Sequence, residues 1–398
     1  MIKKEYKKPN AFLYGVFYII SKIVCKIKLG LKITRNETKG KKGGFVVIAN
    51  HGSSLDFLPM CVALKRRAHF VISNAFYSSM PIQPLLKKAG VIPKNQFQTS
   101  ISEMRAMKNV LENEMPLVLY PAGLMTENGI GTPIPSATGK TIKWFNKDVY
   151  VAKTFGSYFS HPKWTKKWRK GKVIMDVYRL FAKEELCNLD EREIQARIEE
   201  NLCFNEYEAQ KQLKIPFRGA ENTKGLENVL YICPKCKKQF SLESKDKDKL
   251  VCAKCGYTIK SDKYGLFSSV NEKPIAYDTV SDWFKWIENE TKKEIENKDF
   301  KLSSKAEIYM INHKKHRFEK KGDCEISLDI KEFLIDGIID KKKTQKSFST
   351  KVFPILPFKP GNSFDLQDGR EIYRIKLQNG KEVIKWITCL KAIHKKEK

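Results

Sequence analysis

Two Cys-x-x-Cys pairs, Cys233-Pro-Lys-Cys236 and Cys252-Ala-Lys-Cys255-Gly256, stand fifteen residues apart and constrain this chain more than any other local feature. A two-residue spacer lets both thiolates of one tight turn reach a single ion, and two such turns close a tetrahedral shell. Zinc is the expected metal, with iron as its competitor. Four thiolates leave no open coordination position, so the role is folding, docking or recognition and not catalysis. The other six of the ten cysteines are scattered singly. Clustered pairs beside lone cysteines point to metal binding in a reducing compartment and not to a disulfide framework, which predicts a cytosol-facing protein.

The 398 residues suffice for two or three domains. After a basic, glycine-containing turn at Lys39 to Gly44, buried strands are predicted at Phe45 to Ala49, Phe70 to Ile72, Pro116 to Tyr120, Val149 to Ala152 and Val173 to Tyr178. Helical stretches between them, such as Ile101 to Glu114, make this segment α/β. A helix rich in Glu, Arg and Gln is expected from Asp190 to Gln212, capped near Asn188. Beyond the cysteines, a helix is predicted over Thr279 to Asn297. Alternating runs follow at Glu307 to Ile311, Cys324 to Leu328, Ser347 to Phe353, Ser363 to Leu366 and Glu371 to Leu377, then a terminal helix through Val383, Ile384, Ile387, Leu390 and Ile393. Lys341 to Lys343 reads as a short lysine run between elements.

At the N-terminus, Ala11 to Ile20 is a ten-residue uncharged run whose apolar pattern continues to Ile33, interrupted by Lys22, Lys26, Lys28 and Lys32. A spanning helix needs roughly 20 predominantly apolar residues, and no small-residue cleavage site follows. The pattern fits an amphipathic helix in a membrane interface with lysines near anionic headgroups. A helix packed on the protein's own core is the alternative. Lys and Arg number 75 against 45 Asp and Glu, a formal charge of +30, so an anionic partner is expected: nucleic acid, an anionic bilayer, or an acidic substrate or carrier protein.

His51 closes the strand Phe45 to Ala49, and Asp56 follows five residues later, across Gly52 and Ser53. A tight turn there folds the carboxylate back onto the ring. Neutral imidazole is the suitable base for a hydroxyl that attacks a thioester near neutral pH, and a carboxylate on its far nitrogen fixes the tautomer. Ligand sites gather at the carboxyl ends of strands in α/β folds, which gives the position weight.

Asn50-His51 through Asp56 resembles the N-H-x4-D motif of the glycerolipid acyltransferases, the family of 1-acylglycerol-3-phosphate acyltransferase. Gly90-Val-Ile-Pro-Lys94 is similar to the family's second block, which implies Lys94 as the phosphate contact although the usual arginine is absent. Tyr120-Pro-Ala-Gly-Leu-Met-Thr126 is similar to the third, with Gly123 as a substrate-side residue, Ala122 in place of the usual glutamate, and no arginine. Thr138-Gly-Lys-Thr-Ile-Lys143, with Val151, Gly156 and His161-Pro-Lys-Trp164, occupies the place of the fourth. The resemblance spans about residues 40 to 215. It implies an α/β acyltransferase domain with a mixed sheet flanked by helices, an acyl-CoA or acyl-carrier-protein donor and a lysophospholipid acceptor. His51 would be the general base, with Asp56 its orienter and a backbone amide near Gly123 or Gly52 a candidate oxyanion donor. The altered third block leaves the acceptor headgroup open.

The expected layout is an interfacial helix over 1–35, the acyltransferase domain over 36–223, a zinc ribbon over 224–262 and a small β-rich domain closed by a helix over 263–398. The last resembles a pleckstrin-homology-like domain. Enzymatic acyl transfer at the cytoplasmic face of a membrane is the leading reading. A nucleic-acid-binding zinc-ribbon protein is the second, disfavoured because it leaves the ordered blocks unexplained. A third is a catalytically divergent membrane or lipid-binding scaffold.

Overall fold

A computed structural model describes residues 6–96, 100–219, 221–271, 275–352, 355–369 and 371–396. The chain divides into two compact units, Met1–Lys163 with Lys167–Gly219, and Trp164–Lys166 with Ala220–Lys398.

The first unit is built on a seven-stranded sheet. Its strands are β1 (Lys32–Asn36), β2 (Val46–Ala49), β3 (His69–Ser73), β4 (Val91–Lys94), β5 (Leu117–Leu119), β6 (Val149–Phe155) and β7 (Ile174–Phe181), in the order β1-β7-β6-β2-β5-β3-β4. The block from β6 to β4 is parallel, β7 runs antiparallel to β6, and β1 pairs parallel with β7. Helices connect them: α1 (Ala11–Ile27), α2 (Phe57–Leu64), α3 (Asn74–Ser78), α4 (Gln83–Lys88), α5 (Ile101–Glu112), α6 (Thr138–Phe145), α7 (Ser157–Ser160), α8 (Lys183–Asn188), α9 (Glu191–Leu202) and α10 (Glu206–Leu213).

Because successive side chains of a strand point to opposite faces, β2 serves two cores, and every residue of Val46-Val-Ile-Ala49 is buried. Val46 and Ile48 meet Val110, Ile142, Phe145, Ile194 and Ile198 from α5, α6 and α9. Phe45, Val47 and Ala49 meet Tyr14, Met60, Cys61 and Leu64 from α1 and α2.

Two elements differ from the sequence reading. The apolar pattern running to Ile33 is one helix and one strand. The chain leaves α1 at Lys28, turns at Gly30 and enters β1. Only glycine suits that turn: φ is +52°, and a Cβ there would meet the Gly171 carbonyl oxygen at 2.7 Å. The stretch Asp190 to Gln212 is two helices. Asp190, not Asn188, caps the first through a capping box with Glu193, and Asn205 caps the second by accepting from the Tyr207 and Glu208 amides.

The second unit begins with a four-stranded antiparallel ribbon of β8 (Leu242–Lys245), β9 (Lys249–Cys252), β10 (Thr258–Ser261) and β11 (Phe267–Ser269), followed by α11 (Val280–Ile295), which Thr279 caps. Seven antiparallel strands follow: β12 (Leu302–Asn312), β13 (Arg317–Leu328), β14 (Glu332–Ile339), β15 (Lys342–Ser349), β16 (Phe358–Lys359), β17 (Ser363–Asp368) and β18 (Glu371–Leu377). Their order is β15-β14-β13-β12-β18-β17-β16, and α12 (Val383–Lys396) closes the unit. Trp386 of α12 packs its ring on Phe333 and Phe364 of the sheet. Lys341 to Lys343 is no linker: Asp340 and Lys341, at φ of 51° and 65°, make the two-residue hairpin between β14 and β15. The run read as a strand from Ser347 leaves β15 after Ser349 for a 3-10 turn at Thr350–Val352, and Phe353 lies outside the described residues.

Candidate active site and metal centre

His51 lies two residues beyond β2, where the parallel strands end. Asn50 fixes that end: its amide donates to the Thr154 carbonyl and accepts from the Thr154 amide, each at 2.7 Å, locking β2 to β6. The turn Gly52 to Leu55 then brings Asp56 back, so that His51 Nδ1 donates to Asp56 Oδ2 at 2.8 Å, and the Ser53 amide donates to the same oxygen at 3.0 Å. Asp56 is 2% exposed whereas the His51 side chain is 21% exposed, so the carboxylate is sheltered and the ring reaches an edge. With Nδ1 committed, Nε2 is the nitrogen left to take a proton.

Tyr120, just past β5, covers the ring with centroids 4.6 Å apart. Its hydroxyl is held well above the usual phenol range, first by burial and then by the Asp56 charge, so it stays neutral. A narrow cleft opens beside His51, lined by apolar Ala49, Ala122, Leu124, Ile134, Leu202 and Phe204 together with Asn50 and Thr132.

Lys94 ends β4 at the same edge of the sheet. The register aligns Val47 with Val118, Val118 with Phe70 and Phe70 with Val91, so Lys94 stands level with Asn50, one residue before His51. Three strand spacings, about 14 Å, separate their strands. Burial lowers the Lys94 pKa while Glu103 opposes the shift, and its ammonium donates to the Asn95 carbonyl at 3.2 Å. Gly123 closes a turn with φ +68°: its amide donates to the Tyr120 carbonyl at 2.9 Å and its carbonyl accepts from Gln96. The Gly123 amide is therefore committed within the turn and is not a free oxyanion donor. Ala122, not Gly123, lines the cleft.

Three contributions escaped the sequence reading. Asn50 was visible only as part of the motif and Tyr120 only as the start of a block. Glu206 arrives from α10 behind the turn that joins His51 to Asp56, where the Gly156 amide donates to it at 2.8 Å. No local pattern marks that residue, because the long-range packing of α10 brings it in.

The four cysteines converge. Cys233 and Cys255 sulfurs are 3.7 Å apart, those of Cys236 and Cys252 are 3.8 Å apart, and all four lie within 4.8 Å of one another. A tetrahedron with metal–sulfur bonds of about 2.3 Å has edges of about 3.8 Å, whereas a disulfide needs about 2.05 Å. Each knuckle is closed by an amide donating back to its first cysteine's carbonyl, Lys237 to Cys233 at 3.0 Å and Gly256 to Cys252 at 2.9 Å. Both donors have positive φ, 56° and 74°. The donor set fits a closed tetrahedral thiolate metal.

Comparison with known proteins bears on both centres. The family model described as Acyltransferase matches residues 30–153. A zinc-ribbon model described as DNA directed RNA polymerase, 7 kDa subunit, matches residues 226–259. No curated protein matches the chain. Among solved structures, the chain is similar to the 1-acyl-sn-glycerophosphate (LPA) acyltransferase PlsC from Thermotoga maritima, at 14% identity and a TM-score of 0.39, over 50% of this chain and 80% of that one. Residues 30–153, which contain the turn from His51 to Asp56, thus match an acyltransferase family model, and the same chain carries a segment that matches a zinc-ribbon model.

Proposed function

We propose that this chain moves a fatty acyl group from an acyl thioester, acyl-CoA or acyl-carrier protein, to a hydroxyl of a lysophospholipid such as 1-acylglycerol-3-phosphate. The observation that carries the reading is the 2.8 Å contact of His51 Nδ1 with a buried Asp56 at the mouth of a cleft. His51 Nε2 takes the acceptor's proton as its oxygen bonds the thioester carbon. The tetrahedral intermediate collapses, the thiolate leaves with a proton returned from the imidazolium, and an ester remains. Asp56 holds the tautomer and offsets the charge that develops on the ring. Lys94 meets an anionic headgroup at the far side of the strand ends. Zinc on Cys233, Cys236, Cys252 and Cys255 holds the ribbon.

The protein works at the cytoplasmic face of an anionic membrane. Phe12, Val16, Ile19, Ile20, Ile23 and Ile27 are exposed and fall on one stripe of α1, and Lys22, Lys26 and Lys28 beside it are exposed too. No helix among the described residues is long and apolar enough to cross a membrane. Seven strands closed by α12 support the pleckstrin-homology-like reading of the C-terminal region, a module for lipid or protein contacts. The zinc-ribbon match favours one competitor, nucleic-acid binding. Binding to anionic liposomes and to duplex DNA at matched salt separates the two.

The direct test is thiol release from an acyl thioester by the purified protein with a panel of lysophospholipids. Release that depends on an acceptor, with the matching ester formed, is the expected result. Thioester that stays intact with every acceptor contradicts the proposal.

A further inference from the structure

Glu206 is 1% exposed and is the first residue of α10, directly after the cap Asn205. Its Oε2 accepts from the Gly156 amide. Its Oε1 lies 3.4 Å from the point where a Cβ on Gly52 would stand. That same Cβ would come within 2.5 Å of Ser157 Oγ and 3.1 Å of the Tyr158 amide nitrogen. The turn bearing His51 and Asp56 is thus seated on a platform made by Glu206 and the corner between β6 and α7, and the absence of a side chain at position 52 allows the approach.

Three buried oxygens around this turn have no hydrogen-bond partner among the described residues: Asp56 Oδ1, Ser157 Oγ and Glu206 Oε1. A proton on one carboxyl supplies a donor to such a set. Two buried carboxyls beside one turn do not both ionise readily, since each charge opposes the other. Asp56 is the better anion, with both the His51 ring and the Ser53 amide donating to it. For Glu206, burial dominates and the Asp56 charge adds to it. Against the lowering by the Gly156 and Tyr158 amides, its carboxyl is pushed up to about 8. The other ionisable groups nearby are the phenols of Tyr158 on α7 and Tyr207 on α10, whose rings pack 5.9 Å apart. The Arg169 guanidinium lies near both, with its own pKa lowered by burial.

We propose that Glu206 is a positioning residue for the His51–Asp56 pair: a neutral carboxyl that seats the catalytic turn and leaves the negative charge to Asp56. Loss of its proton to solvent puts a second anion behind the turn, raises the basicity of His51 and repels Asp56. The kinetic consequence rests on the acyl-transfer reading above; the electrostatic one does not.

The experiment follows the His51 imidazole by NMR from about pH 5 to about pH 9 in the wild type and in Glu206→Gln, which keeps an acceptor for the Gly156 amide and never ionises. The wild-type ring is expected to show a second inflection near pH 8 beyond its own titration, and Glu206→Gln to lack it. In parallel, kcat of the wild type is expected to fall by about fivefold or more above that pH, while Glu206→Gln stays within about threefold of its neutral value. A wild-type His51 titration without the second inflection overturns the proposal even if the variant does not fold. Identical titrations in the two proteins overturn it as well. A wild type that consumes no thioester sinks the acyl-transfer reading, and the NMR comparison still decides the role of Glu206.

Discussion

Asn50 commits both halves of its amide to Thr154, and His51 is the next residue. Asn50→Ala leaves a buried amide and a buried carbonyl of β6 unpaired, a loss of about 1–3 kcal/mol for each group. Urea unfolding should record that loss, with a fall in kcat because the strand end no longer fixes His51. Glu206 adds a pH dependence. Its folded-state pKa is raised from the ordinary 4.5 to about 8, so its contribution to stability is present in full below the ordinary value and is lost as pH rises through about 8. Melting curves should show wild-type Tm falling across that window more steeply than Glu206→Gln. At this scale the sequence exposed the pair His51 and Asp56, because five residues and one glycine form a local turn. For Gly123 it showed the glycine but not that its amide serves its own turn. It missed Glu206, since a carboxyl delivered by the packing of a distant helix leaves no local trace.

The helix α1 divides its surface cleanly. Tyr14, Ser21 and Cys25 are buried, with Phe17 stacked on Phe57 of α2, while the stripe from Phe12 to Ile27 faces outward. One face of this helix therefore packs on the protein's own core, as the second sequence alternative expected, and the apolar stripe on the other face is exposed. Ile19→Glu with Ile23→Glu alters only the outer stripe. Burial of an isoleucine is worth about 1.5–3 kcal/mol, so binding to anionic liposomes, measured by flotation, should weaken by about tenfold or more while Tm is unchanged. Element existence was legible wherever the apolar period was strong, as in β2, α5 and α12. Element ends were not. Gly30 and the pairing of β1 with β7 stop α1, and the Asn205 cap splits the Glu-rich helix, both through contacts the period does not encode.

Within the second unit the metal segment is tied to its neighbours. Trp283 Nε1 of α11 donates to the Ile232 carbonyl at 3.0 Å, and Tyr231 pairs with Thr291 at 2.6 Å. Lys385 of α12 donates to Gln239 at 2.9 Å and also to Glu294. A structural thiolate zinc supplies an apparent free energy of about 10–16 kcal/mol, comparable with the whole stability of a domain at about 5–15 kcal/mol. Chelation, or Cys233→Ser with Cys252→Ser, should therefore lower the calorimetric transition of the second unit and leave that of the first in place. Cysteine spacing made this centre legible, and the alternation of strands and helices made the α/β half legible. Strand order was not legible, because which strands neighbour β2 is decided by helix packing on both faces of the sheet.

The acyl-transfer account turns on His51 as the base. The measurement that tests it most directly is kcat for thiol release by His51→Ala beside the wild type, with the variant's fold checked by circular dichroism. A loss of about 10²–10⁴-fold in a folded protein is the predicted result. Turnover at the wild-type rate in that variant would contradict the account.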